Sequence, residues 1–255
     1  MPDILQVTLL IIVGIVVGFI NTLAGSGSVI TLPLLIFLGL PANVANGTNR
    51  IAIFLQSVVG VRGFQRQKYL DTKNGLWPVI VAVIGSLIGA SIAVELNNQL
   101  MEKIIGIVMV LMFFVIIYKP DQWIKTQISS ENKKFSILQL LIFFAIGIYG
   151  GLVQAGVGIF LLSALVLGAG YDLIRANALK LLIVAIYTPV ALAVFIYYDQ
   201  VNFIWGLILG GGNMIGATLA TRFAVSWGPK YIRYILLTMI IVSSLKLFGL
   251  LDFLF

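Results

Sequence analysis

The feature that most constrains this chain is an internal repeat. The motif Ala24-Gly25-Ser26-Gly27 returns 131 residues later as Ala155-Gly156-Val157-Gly158, and both copies interrupt a long apolar stretch. The same offset relates further identical residues without a gap over roughly a hundred positions, which indicates a duplication: Leu34 and Leu165, Gly39 and Gly170, Ala45-Asn46 and Ala176-Asn177, Ile84-Gly85 and Ile215-Gly216. A duplication in so apolar a chain predicts a membrane transporter built from two related halves.

The composition predicts helices that cross a membrane. Hydrophobic residues fill 60% of the 255 positions and charged residues 10%, whereas soluble domains carry about 25% charged residues. Several apolar runs have about 20 residues, the length that a helix needs to span a bilayer. Only Asp3 carries a charge ahead of the first run, so we expect a retained helix there and not a signal peptide.

Several classes of function are disfavoured. The chain has no Cys and no His, which excludes disulfides, thiol chemistry and imidazole metal sites. No catalytic constellation is present, so we expect no enzyme, no cofactor and no metal. Lys and Arg outnumber Asp and Glu by 16 to 9. We assign this excess to cationic loops that orient the helices, and we expect no nucleic-acid partner.

The loop charges predict how the halves are arranged. Residues 1–118 form the first predicted repeat, 119–134 a cytoplasmic linker, and 135–255 the second repeat of one transmembrane domain. The loop between Arg62 and Lys73 is cationic, whereas its counterpart 193–204 has no cation. The reverse holds at the next turn, where Lys230 and Arg233 belong to the second half. A charge bias that changes sides is expected of inverted repeats. We therefore predict an all-α integral membrane protein with two inverted repeats of about five membrane helical elements each, including short or broken helices.

The two glycine-rich breaks are the first candidate binding residues. A helix that breaks inside a bilayer leaves backbone groups unpaired, which is tolerated only within protein or around a wet cavity. A helix that starts near Ser28 or Ile159 points free N–H groups at its break and favours an anion there. The alternative is that the breaks are only tight turns between helices. The candidates are Asn21, Ala24, Gly25, Ser26, Gly27 and Ser28 in the first break, and Gln154, Gly156 and Gly158 in the second.

Two cations are the second set of candidates. Arg50 lies nine residues past Pro41 and Lys180 nine residues past Tyr171, so each is roughly 13 Å deep along a helix. A charge at that depth is costly and is a functional hypothesis by default, with snorkelling to the surface as the alternative. Asn49 is the repeat equivalent of Lys180. The equivalent pair Asn46 and Asn177 supplies either donors to a ligand or hydrogen bonds between helices.

These motifs resemble the sulfite exporter TauE/SafE family over nearly the whole chain. The resemblance rests on the stretch Gly18 to Ser28, on Pro33, on Gly39-Leu40-Pro41 and on Ala45 to Arg50, and in the second half on Gly150 to Gly158, Ala176-Asn177 and Lys180. It implies a multi-pass permease of the inner membrane for sulfite, organosulfonates or related sulfur or carboxylate anions. The second copy has Ala164 in place of Pro33 and Leu181 in place of Arg50, so the resemblance does not imply a symmetric site.

Together these observations predict a transporter for a small anion, with a site near the membrane midplane between the two breaks. Arg50 and Lys180 supply its charge, and Asn46, Asn177 and the glycine-rich backbones supply donors. The expected partners are the anionic substrate and the lipid bilayer, and the pattern is compatible with a homo-oligomer. An anion channel with the same site and a non-transporting membrane assembly factor remain as alternative functions.

Overall fold

The apolar segments are helical throughout the part of the chain that the computed structural model describes, residues 3–70, 75–118 and 135–224. The predicted linker 119–134, the residues from 225 onward with Lys230 and Arg233, and Lys73 lie outside it. The helices are α1 Ile4–Leu23, α2 Ser28–Phe37, α3 Ala42–Arg66, α4 Leu76–Glu95, α5 Asn98–Tyr118, α6 Ile137–Leu152, α7 Val157–Ser163, α8 Leu173–Tyr197 and α9 Phe203–Ala224, and α7 continues as a π turn over Ala164–Gly168.

Both predicted breaks are present. The first separates α1 from α2 at residues 24–27, and the second separates α6 from α7 at residues 153–156. At the second break α6 ends at Leu152 and α7 begins at Val157, in agreement with the predicted helix start near Ile159. The ten residues of α2 extend about 15 Å at 1.5 Å per residue, half of a bilayer core.

The two halves use the same backbone turns. Six residues in the described ranges have positive φ, and they form three pairs at the repeat offset of 131. The pairs are Gly25 (φ 79°) with Gly156 (72°), Gly39 (99°) with Gly170 (73°), and Lys68 (63°) with Asp199 (56°). The first three helices of one half, α1 to α3, are thus followed by the same turns as their equivalents α6 to α8 in the other half. The inverted orientation of the halves stays a prediction.

Glycines let the first helix of each half pack closely against a helix of the other half. On α4, Gly85 and Gly89 face the backbone of α6, and a Cβ at either position would overlap α6 carbonyl oxygens. On α9, Gly216 does the same against α1. Small residues at such contacts are typical of helix packing in membranes. Each half therefore supplies a packing surface for the other.

Four of the described helices, α1, α4, α8 and α9, are long and apolar enough to cross a membrane. Large apolar side chains of α4, such as Ile84, Leu87 and Ile92, are exposed, as expected for a surface that contacts lipid. In contrast, α3 and α8 pack against each other and bury polar side chains, among them Arg50, Gln56 and Lys180. The chain is a multi-pass membrane protein, and its polar centre lies on α3 and α8.

Candidate functional site

The two helix breaks meet in the buried interior, where Gly25 of the first break contacts Gly158, two residues past the second break. The Gly158 N–H donates a hydrogen bond of 3.1 Å to the Gly25 carbonyl oxygen. A Cβ at either glycine would overlap the Cα of the other. Gly25 also has φ +79°, a left-handed conformation that favours glycine. These two residues are glycine because the backbones meet at van der Waals distance.

The end of α6 is closed by side chains from α3. The last carbonyl groups of a helix have no partner within the helix, and burial makes an unpaired carbonyl costly. Arg50 donates from Nη1 to the Gly150 oxygen at 3.0 Å and from Nη2 to the Gly151 oxygen at 2.5 Å. Asn46 donates from Nδ2 to the Leu152 oxygen at 2.7 Å. One turn of α3 thus satisfies three consecutive carbonyls at the second break.

Arg50 is enclosed by these contacts. Its side chain is fully buried, and its Cζ lies 4.5 Å from the centre of the Phe195 ring. A cation above an aromatic face is electrostatically favourable. A guanidinium at the carboxyl end of α6 also opposes the partial negative charge of that helix end. The carbonyls at the end of α6, which lack partners within the helix, therefore account for this buried cation. The Arg50 side chain does not snorkel to the membrane surface.

The end of α1 is closed in a related way by α8. The Lys180 ammonium donates to the Asn21 oxygen at 3.1 Å, the Thr22 oxygen at 2.8 Å and the Asn177 side-chain oxygen at 2.8 Å. These three bonds use all three N–H groups of an ammonium. The cation of each half thus binds the first helix of the other half.

A small cavity lies where the two breaks meet. Its volume is about 20 Å³, room for about one water molecule. Three polar atoms on buried side chains of its lining have no hydrogen-bond partner: Gln56 Nε2, Ser57 Oγ and Gln154 Oε1. The lining residues are Asn21, Gly25, Ser28, Ile53, Gln56, Ser57, Gln154, Val157, Gly158, Lys180, Leu181, Val184 and Tyr187.

The charge of the cavity is positive. Lys180 is the one charged residue in its lining. All carboxylates within the described ranges lie at helix ends or in loops, away from the cavity: Asp3, Glu95, Glu102, Asp172 and Asp199. Those ranges also contain no group of three or more Asp, Glu, His or Cys side chains that could hold a metal ion.

The structure brings some of the predicted site residues to the cavity. Asn21, Gly25, Ser28, Gln154, Gly158 and Lys180 line it. Asn46 and Arg50 lie at the end of α6, and Asn177 holds Lys180. Asn49 accepts a hydrogen bond of 2.7 Å from Thr31. The remaining backbone candidates belong to the breaks themselves: Ala24 is buried, Ser26 is half-buried, Gly27 donates to Asn21, and Gly156 packs against Met112.

Three polar residues of the lining were not among the predicted binding residues: Gln56, Ser57 and Tyr187. Neutral polar residues on an apolar helix are readily interpreted as packing residues. The repeat offset offers a signal, because Gln56-Ser57 of α3 corresponds to Tyr187-Thr188 of α8. Gln154 donates to the Tyr187 hydroxyl at 3.4 Å and to Thr188 Oγ1 at 3.0 Å. Equivalent positions in the two halves therefore face the same place.

Comparison with known proteins adds a family and several relatives. The family model described as sulfite exporter TauE/SafE matches residues 10–247. The Sinorhizobium sp. protein named "Probable membrane transporter protein ORF9" is 25% identical over 93% of this chain and 90% of its own length. The Escherichia coli (strain K12) protein named "Probable membrane transporter protein YfcA" is 26% identical over 93% of this chain and 88% of its own length.

A third relative comes from Bacillus subtilis (strain 168). This protein, named "Probable membrane transporter protein YjnA", is 28% identical over 93% of this chain and 98% of its own length. No solved structure matches the chain. The similarity to these relatives covers both repeats and both breaks.

Proposed function

We infer that this chain, which belongs to the sulfite exporter TauE/SafE family of membrane transporters, carries a small oxyanion across the membrane through the cavity between its two breaks. Sulfite, organosulfonates and related carboxylates form the substrate class. The protein acts as a permease of the inner membrane and catalyses no reaction.

The observation that carries this proposal is the charge of the cavity. It holds one ammonium, that of Lys180, with amide and hydroxyl groups around it and no carboxylate among its lining residues. A charge buried in a low-dielectric environment is stabilised by an opposite charge. An anion in this cavity meets that requirement, whereas a cation would meet a like charge. A cavity of about 20 Å³ must widen to admit such an ion.

The fold supplies a way to widen it. The breaks touch through a single backbone hydrogen bond between glycines, and each is anchored by a cation of the other half. Rocking of one set of helices against the other, as in transporters built from inverted repeats, would separate the breaks on one side at a time. An exported anion leaving a cell that is negative inside gains about 2.3 kcal/mol per charge per 100 mV. Export therefore needs no coupled ion.

Counterflow in proteoliposomes tests this proposal. Purified protein is reconstituted with unlabelled sulfite inside, and uptake of labelled sulfite is compared with uptake of methanesulfonate and acetate. We expect saturable counterflow that Lys180→Met abolishes, because the cavity then loses its charge. The matched control is Lys103→Met, which removes an exposed lysine of α5.

Each other outcome has a definite meaning. Absence of counterflow for all three anions contradicts the proposed substrate class. Wild-type rates in Lys180→Met contradict the proposed site while leaving the function in place. Conductance without saturation or counterflow identifies an anion channel with the same fold.

A further inference from the structure

Gln56 lines the cavity and carries a buried amide nitrogen without any hydrogen-bond partner. This side chain is fully buried on α3, and its Nε2 is one of the unpaired donors in the lining. A buried donor without a partner is destabilising, and such an atom requires an explanation. We propose that Gln56 binds the transported oxyanion directly, together with the Ser57 hydroxyl and the Lys180 ammonium. This inference rests on the proposed function and assigns its binding residues.

The orientation of the Gln56 amide is fixed by the backbone of the first break. The Gly27 N–H can only donate, and it donates to Asn21 Oδ1 at 3.2 Å. The Asn21 amide nitrogen must therefore point the other way, where it donates to Gln56 Oε1 at 3.2 Å. Asn213 donates to the same oxygen at 3.3 Å. The Gln56 oxygen thus accepts from two donors, and the amide nitrogen is left as an unpaired donor on a residue that lines the cavity.

The amide on the other side of the cavity lacks such a constraint. Gln154 contacts the hydroxyls of Tyr187 and Thr188. A hydroxyl both donates and accepts, so these partners satisfy either orientation of the Gln154 amide. Of the two glutamines in the lining, Gln56 is therefore the one that favours an anionic ligand, because its free donor cannot be exchanged for an acceptor.

Lys180 is able to turn toward an anion without leaving a carbonyl unpaired. Its longest bond, 3.1 Å, goes to the Asn21 oxygen. That oxygen also accepts the Gly25 N–H at 2.9 Å, so it keeps a partner when the ammonium leaves. The ammonium retains its bonds to Thr22 and Asn177 and gains a charge-assisted bond to the anion. A bond to an ionised group is roughly twice as strong as a neutral one.

Arg50 does not have this freedom. Its two guanidinium bonds go to the carbonyls of Gly150 and Gly151, for which the described residues provide no backbone donor beyond the helix end. Release of either bond would leave a buried carbonyl unpaired. Arg50 is also absent from the cavity lining. The oxyanion is therefore held by Lys180, Gln56 and Ser57, while Arg50 holds α6.

Substitutions at Gln56 and Ser57 test the assignment. Gln56→Glu keeps an oxygen for Asn21 and Asn213 but replaces the donor with a negative charge. Gln56→Leu removes the amide, and Ser57→Ala removes a hydroxyl that has no protein partner. We measure sulfite affinity by the shift in thermal unfolding of detergent-purified protein and confirm it by counterflow. Gln139→Glu, in the first turn of α6 and outside the cavity lining, is the matched control.

We expect Gln56→Leu and Ser57→Ala to weaken sulfite binding about 10- to 100-fold, the effect of losing a hydrogen bond to a charged group. Gln56→Glu should weaken it at least about 100-fold, because its carboxylate neutralises Lys180 and repels the anion. Gln139→Glu should bind like the wild type. If the Gln56 variants do not fold, Ser57→Ala still tests the assignment, because it removes no hydrogen bond within the protein.

Wild-type affinity in Gln56→Glu or Ser57→Ala overturns this inference. If Lys180→Met abolishes sulfite binding while both α3 variants retain it, the proposed function stands and only the assignment of Gln56 and Ser57 fails. If wild-type protein shows no response to sulfite, methanesulfonate or acetate, the proposed function fails as well. The two failures are therefore distinguishable.

Discussion

The two helix breaks share a backbone but differ in the side chains that close them. At the second break, Arg50 and Asn46 cap three consecutive carbonyls of α6. At the first break, Lys180 caps two carbonyls of α1, one of which has a second donor. Each end needs a cap because an unpaired backbone group in a membrane is costly. The carboxyl ends of α1 and α6 both need a cationic cap, and the two caps differ in how readily the cation can leave its carbonyl partners.

The difference between the two caps also distinguishes a structural cation, Arg50, from the proposed binding cation, Lys180. The Lys180 ammonium lines the central cavity, whereas the Arg50 guanidinium does not. Arginine suits a permanent clamp, because its planar fork matches two neighbouring carbonyls, while lysine is a compact charge with three rotatable donors. Under our proposal, the first break is the side that responds to substrate and the second is the side that holds its shape.

The largest effect should come from removing the contact that the two breaks share. Gly25→Ala introduces a Cβ that overlaps the Cα of Gly158 and places alanine at φ +79°. Strain at such a φ costs about 1–3 kcal/mol and overpacking about 1–3 kcal/mol more. We expect the free energy of unfolding to fall by about 2–6 kcal/mol, measured by detergent titration in mixed micelles.

Gly106→Ala is the matched control for that variant. A Cβ at Gly106 meets nothing within 4 Å. An exposed helical Gly→Ala substitution is stabilising by about 0.5–1 kcal/mol. If Gly25→Ala unfolds at the same point as Gly106→Ala, the breaks do not touch as described.

The next largest loss of stability is expected from removal of either buried cation, Arg50 or Lys180. Arg50→Met leaves two carbonyls unpaired, and bonds to a charged group contribute about 1.5–3 kcal/mol each, so we expect the free energy of unfolding to fall by about 3–6 kcal/mol. Lys180→Met leaves the Thr22 carbonyl and the Asn177 side-chain oxygen unpaired, whereas the Asn21 carbonyl keeps the Gly25 N–H. Because the Asn177 side chain can rotate, unlike a helix carbonyl, we expect a smaller loss of about 1.5–3 kcal/mol. The same detergent titration measures both, and Arg50→Lys should fall between wild type and Arg50→Met.

Equal losses in Arg50→Met and Lys180→Met would contradict the difference between the breaks. A larger loss in Lys180→Met would reverse it. Both variants should be measured without sulfite, since a ligand that binds only the folded protein raises its apparent stability by mass action.

Much of the fold was predictable because its signals are local or periodic. The repeat, the apolar spans and the two breaks follow from glycine positions and hydropathy, and the structure confirms an all-α membrane fold with both breaks. Arg50 and Lys180 were also identified from their spacing along the helices, and both are buried within the protein, while their depth in the membrane stays a prediction. Their partners were not, because backbone carbonyls leave no trace in the residue pattern. Gln56 and Ser57 were missed for a related reason, since the orientation of an amide depends on a chain of contacts from Gly27.

The smallest change in stability is expected from substitution of the two equivalent asparagines, Asn46 and Asn177. Asn46→Leu leaves the Leu152 carbonyl unpaired and should cost about 0.5–2 kcal/mol, with sulfite affinity unchanged. Asn177→Leu removes an acceptor of the Lys180 ammonium, while its own Nδ2 bond goes to Leu173 in the same helix. We expect a similar or smaller loss of stability there.

The sulfite affinity should distinguish these two variants. Without the Asn177 oxygen, one N–H of the Lys180 ammonium is unpaired before the anion arrives. The anion then binds without displacing a protein acceptor, and we expect its affinity to rise about 3- to 10-fold, the effect of one modest hydrogen bond. Thermal unfolding across a sulfite series measures this change, with Asn46→Leu as the control. An unchanged or weaker affinity in Asn177→Leu would show that the ammonium does not exchange protein acceptors for the anion.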